Sequence, residues 1–119
     1  MITVIFEKDS QGYNALYMNG HSGYSEVGTD IICSSASVLF YTAVNSLIEM
    51  CGVDEEVFNI NEDKGDGEVN ASFKLPDLQG EAKVKAQTIM ESVHIGFKTL
   101  EGVANSGDDS YIELIESQI

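Results

Sequence analysis

An α+β fold, with two long helices packed on a largely antiparallel sheet, is what this 119-residue sequence predicts. Three observations carry that expectation. Short segments alternate apolar and polar residues, which is the period of a strand with one buried face. Two longer segments repeat apolar residues every three or four positions, which is the period of one helix face. Turn residues join the short segments in pairs, as hairpins require. The elements read strand, strand, helix, strand, strand, helix, strand, and hairpins linked by helices build a two-layer α+β sandwich. The length fits a single domain over residues 1–119.

Ile2, Val4 and Phe6 alternate with Thr3, Ile5 and Glu7. Asp9-Ser10-Gln11-Gly12 is a turn, and Tyr13 to Asn19 returns as a second strand. From Gly20 to Asp30, glycines at 20, 23 and 28 among small polar residues mark a loop. From Ile31 to about Cys51, the positions Ile32, Ala36, Leu39, Ala43, Leu47 and Met50 form a helical stripe. Val38, Phe40, Val44 and Ile48 widen it, which predicts a helix buried on more than one side. Thr29 or Asp30 is placed to cap its start, and Gly52 suits its stop. Glu55 to Asn61 and Glu68 to Lys74 read as a hairpin around Asp66-Gly67, ended by Pro76. Ala82, Ala86, Ile89, Val93, Phe97 and Leu100 give a second helical stripe from about Glu81 to Val103. A last strand follows from Tyr111.

Composition excludes several functions. Twenty acidic side chains against six basic ones give a net charge of -14. Nucleic-acid affinity needs clustered Lys and Arg, so no direct nucleic-acid binding is expected, and anionic membranes are disfavoured for the same reason. A basic protein partner fits the charge. The N-terminus lacks the basic region of a secretory signal, and no stretch reads as a membrane span. Cys33 and Cys51 are 18 residues apart, roughly 27 Å along one helix, too far to bridge. Reduced thiols point to the cytoplasm. No metal or cofactor is expected. The two histidines and two cysteines lack zinc-ligand spacing. The loop beginning at Asn59 has Lys64 and Asn70 where a calcium loop needs glycine and glutamate. Gly65-Asp66-Gly67 precedes a strand, not the helix start a dinucleotide phosphate requires.

Cys33 falls in the first turn of the first long helix, directly after the glycine-containing loop. The positive end of a helix dipole favours a thiolate, and backbone N–H groups there suit an oxyanion. His21 lies 12 residues earlier, and closing a loop of that length costs little. A thiol beside an imidazole is a nucleophile for acyl transfer. A second reading stays open, because cysteine is often a small core residue. Cys51 lies near the negative end of the same helix and reads as structural, as does His94 between Val93 and Ile95.

Gly20-His21-Ser22-Gly23-Tyr24 followed by Gly28-Thr29-Asp30-Ile31-Ile32-Cys33-Ser34-Ser35-Ala36-Ser37 resembles the signature of the ribosomal-processing cysteine protease family, Prp. Length and element order agree with that family over most of the chain. The resemblance implies a peptidase that removes a short N-terminal extension from large-subunit ribosomal protein twenty-seven, cutting after a phenylalanine. It implies Cys33 as nucleophile, His21 as its proton partner, and a homodimer. One departure is visible: Ser34 and Ser35 stand where alanines are common in the family.

Supporting roles follow as expectations. The N–H of Cys33 or Ser34 would hold the oxyanion. Asp30 orients His21 or caps the helix, with the cap favoured. Ser37 lies one turn beyond Cys33 on the same face, and touches the thiol or the substrate or only packs there. Gly20, Gly23 and Gly28 are expected to act as loop hinges that let the loop close over a peptide. The alternative from another class is a non-catalytic, acidic, dimeric module that binds a ribosomal or assembly partner, with Cys33 packed in the core.

Overall fold

A computed structural model of the chain describes residues 1–20, 31–62 and 69–119. Strands β1 (Ile2–Asp9) and β2 (Gly12–Gly20) precede helix α1 (Ile31–Cys51). Strands β3 (Phe58–Glu62) and β4 (Val69–Lys74) follow, then helix α2 (Gly80–Ala104) and strand β5 (Ile112–Gln118). They form one five-stranded sheet in the order β3-β4-β2-β1-β5. Three pairings are antiparallel, and β5 lies parallel to β1. The sheet is therefore mixed, with the antiparallel majority that the hairpins predict.

Register explains the core. Phe6, Leu16, Phe73 and Phe58 occupy one row across β1, β2, β4 and β3; Val4, Met18, Ala71 and Ile60 occupy another. Period-two alternation puts all of these on one face. Both helices cover that face, α1 through Ile32, Ala36, Phe40 and Leu47, α2 through Ala86, Met90, Val93 and Phe97. The helices also pack on each other where Gly96 leaves room for Leu39. The opposite face carries Thr3, Ile5, Tyr17, Ser72 and Ile115.

Three expectations are corrected. Residues Glu55–Val57 form a short 3-10 turn, so the third strand begins at Phe58. The Asp54 carboxylate accepts from the Glu56 N–H at 3.0 Å and commits those residues to the turn. Helix α1 is buried toward the sheet and α2, but Val38 and Met50 face outward, 64% and 54% exposed. Among the described residues, α1 is long and apolar enough to cross a membrane by length and composition, contrary to the sequence expectation. Its buried residues are part of the same core as the sheet, which accounts for its apolar character here. The turn expected around Asp66-Gly67 lies outside the described residues.

Side-chain amides tie α2 to the sheet at both ends. Gln87 accepts from the Tyr13 N–H at 2.8 Å and donates to the Tyr13 carbonyl at 2.7 Å, acting as one extra rung beside β2. Asn105 donates to the Ile112 carbonyl at 2.7 Å and accepts from the Tyr111 N–H at 2.8 Å. Glu101 accepts from the Leu114 N–H at 2.7 Å. These bonds satisfy backbone groups that would otherwise be costly to bury.

His94 stacks on Tyr13 at 5.4 Å and meets the edge of Phe6 at 4.8 Å. Burial pushes its pKa below 6.5; Lys98 and Lys8 act in the same direction, against Glu116 and Glu91. A depressed folded pKa means that the neutral ring stabilises the fold. That contribution is complete above 6.5 and is lost as pH falls through the folded value. The melting temperature is expected to fall between pH 7 and 5, and His94→Phe, which keeps the ring contacts, is expected to flatten that slope. Equal slopes in the two proteins would contradict the assignment.

Candidate active site

Cys33 is the third residue of α1. Its neighbours set its environment. Ile32 and Ala36 are buried in the core and fix the first turn of α1 against the sheet side. Cys33 itself is half-buried and packs against that core, while Ser34 and Ser35 are exposed. The Ser35 hydroxyl donates to the Ile31 carbonyl at 2.7 Å, so it is engaged by the helix itself. Ser37 is half-buried, one turn along from Cys33. No acidic side chain occupies the first turn of α1, so none within that turn offsets the positive end of its dipole.

Cys51 sits in the opposite setting. It ends α1, and burial pushes its thiol pKa up, with Lys85 acting the other way. Neither cysteine is in a disulfide.

The direction of α1 places the first turn. Phe40 meets Phe73 at 5.6 Å, and beyond Cys51 the chain passes through the 3-10 turn into β3 at Phe58, in the Phe73 row. The start of α1 thus points to the other end of the sheet, where β2 stops at Gly20 beside Ile2 and Val69. Of the residues singled out from the sequence, Gly20, Cys33, Ser34 and Ser37 are described. His21, Gly23, Gly28 and Asp30 lie outside the described residues.

Met1, Glu101, Asn105, Ser110, Ile112 and Glu113 line a cavity of about 290 Å³ at that same end of the sheet. Two of its six residues are glutamates. Among the described residues, no three His, Cys, Asp or Glu side chains converge in a way that could hold a metal ion. Sequence reasoning missed the Gln87 and Asn105 rungs and the backbone geometry of Gly20. The rungs leave no signal in a single sequence, because an amide at a helix position looks like ordinary surface.

A half-buried thiol in the opening turn of a helix, with an apolar core behind it, is in a setting that favours the thiolate a cysteine peptidase needs. The model of the family described as cysteine protease Prp matches residues 1–108, and the chain belongs to that family. It is 32% identical over 92 residues to the ribosomal processing cysteine protease Prp of Bacillus subtilis, covering 76% of this chain and 78% of that one. It is similar to the crystal structure of an essential ribosomal processing protease Prp from S. aureus with a covalently linked product peptide. There the TM-score is 0.73 and the identity 28%, over 98% of this chain and all of the other. The S. aureus protease with a substrate peptide gives a TM-score of 0.64 and 26% identity, over 98% of this chain and 100% of that one. Membership of a protease family sets aside the non-catalytic binding module.

Proposed function

We propose that this protease removes the N-terminal extension of large-subunit ribosomal protein twenty-seven, cutting after a phenylalanine, with Cys33 as nucleophile and His21 as its proton partner. The observation that carries the reading is the place of Cys33: first turn of α1, half-buried, with no acidic side chain in that turn. The match of the chain to the ribosomal processing proteases supports the substrate class.

His21 takes the thiol proton, and the Cys33 sulfur forms a bond to the scissile carbonyl carbon while the C=O pair moves onto oxygen. N–H groups at the helix start, including that of Cys33 or Ser34, hold the resulting oxyanion. The oxyanion collapses and the C–N bond breaks, with His21 returning its proton to the leaving amine. Water, deprotonated by His21, then hydrolyses the thioester and frees the sulfur. In this reading Asp30 caps α1, and Ser37 packs beside the thiol or the substrate. The protein acts in the cytoplasm as a homodimer of single-domain chains, without metal or cofactor.

Incubating the purified protein with the extended ribosomal protein and weighing the products tests the reading. It predicts two fragments that divide after phenylalanine; an intact substrate, or cuts elsewhere, would contradict it. Charge supplies a second test. A net charge of -14, with Glu101 and Glu113 at the site's end of the sheet, attracts a basic substrate over distances that salt screens. Cleavage of the full-length substrate is expected to slow with added salt more than cleavage of a neutral peptide. Equal sensitivity would remove electrostatic steering.

A further inference from the structure

We infer that Gly20 is a positioning residue, fixing the direction in which the chain leaves the sheet for His21; this rests on the reading of His21 as the proton partner of Cys33. Gly20 is the last residue of β2 and is paired on both sides, to Ile2 and to Val69. Its φ is +99°, a conformation that an L side chain rarely adopts. A Cβ at this position would run into the Met1 carbonyl oxygen, and would lie 3.3 Å from the Met1 carbonyl carbon and 3.5 Å from the Ile2 Cα. All three atoms are backbone, so no side-chain rotation relieves the contact. A glycine clamped between two strands differs from a hinge, because its neighbours dictate its dihedral angles. The residue that follows it in sequence is His21, so Gly20 is where the strand hands the chain on to the residue read as the proton partner. Proton transfer tolerates little error in position, since a displacement of about 1 Å can cost roughly 100-fold in rate.

The other end of β2 provides the control. Gly12 also has a positive φ, +121°, and a Cβ there would meet the Gln87 amide. Gly12→Ala therefore strains the same strand at its opposite end. The experiment compares kcat, KM and the pH profile, per folded molecule, on a peptide spanning the extension, together with the rate at which iodoacetamide modifies Cys33. Gly20→Ala is expected to lower kcat about 100-fold with KM nearly unchanged, shift the histidine limb of the profile and slow Cys33 alkylation. Gly12→Ala is expected to lower stability while kcat per folded molecule stays as in the wild type. If the alanine chain is too unstable to assay, Gly20→Asn tolerates a positive φ better, brings the same Cβ and is read the same way. A Gly20 variant with wild-type kcat and pH profile would overturn the inference, and so would an equal loss in Gly12→Ala. His21→Ala and Cys33→Ala, run alongside, separate the two readings. If either still cleaves at a normal rate, the catalytic assignment itself fails; if both are inactive while the Gly20 variants cleave normally, only the positioning role fails.

Discussion

Cys33→Ala is expected to reduce cleavage of the extension peptide by roughly four orders of magnitude or more while leaving the fold intact. The size follows from the role. In the proposed mechanism no thioester forms without the sulfur, and the imidazole and N–H groups have no nucleophile to assist. The fold should survive because Cys33 is half-buried and the helix start is held by its neighbours Ile32 and Ala36. Alanine keeps the Cβ and favours a helix. The lost contacts amount to about 1 kcal/mol or less, within the range of ordinary substitutions at partly exposed sites. Urea denaturation and peptide cleavage on the same preparation check both halves. An inactive but unfolded variant, or a folded variant that still cuts, would contradict the account.

Phe6→Ala has the largest expected effect on stability, about 3–5 kcal/mol. The ring is completely buried. Its edges and faces meet Phe97 at 5.9 Å, Tyr13 at 5.6 Å and His94 at 4.8 Å, all in edge-to-face geometry. Truncation removes the apolar burial and all three aromatic contacts, and leaves a cavity between α2 and the middle of the sheet. Domains of this size are stable by roughly 5–15 kcal/mol, so the loss is a large share of the total. Phe6→Leu keeps most of the volume and is expected to cost less than half as much. The measurement is the shift in urea midpoint at unchanged slope. A loss for Phe6→Ala below about 1 kcal/mol would mean that the site relaxes to fill the space, contrary to the packing described.

The sequence carried the elements further than their arrangement. Residues Ile31–Cys51 read as a helix because Ile32, Ala36, Ala43 and Leu47 recur at its period, and those residues are in the core. The parallel pairing of β5 with β1 was not legible, because the two strands are more than a hundred residues apart and alternation says nothing of direction. Val38 and Met50 show the limit of periodicity in an apolar helix. When nearly every side is hydrophobic, the pattern does not say which side meets solvent. Met90, fully buried, lies one position beyond the Ile89 chosen for the stripe, within the spread that a 3.6-residue period allows. The 3-10 turn was hidden because Glu55 and Glu56 break no strand rule, and only the Asp54 cap redirects them.

For the site, the placement of Cys33 in an opening helical turn was legible from the change of period at Ile31 and the small polar residues before it. The requirement at Gly20 was only half legible. A glycine there reads as loop freedom, whereas the structure gives it strand partners on both sides and the Met1 carbonyl against its face. That contact depends on the register of β1 against β2, which no local pattern encodes.

In the proposed mechanism the start of α1 and the imidazole of His21 keep the Cys33 sulfur reactive. Alkylation by iodoacetamide across pH 5 to 9, followed separately at each cysteine by mass spectrometry, tests it most directly. The account predicts that Cys33 reacts far faster than Cys51 at neutral pH, and that His21→Ala slows Cys33 without affecting Cys51. Equal, slow modification of the two thiols across that range would contradict it.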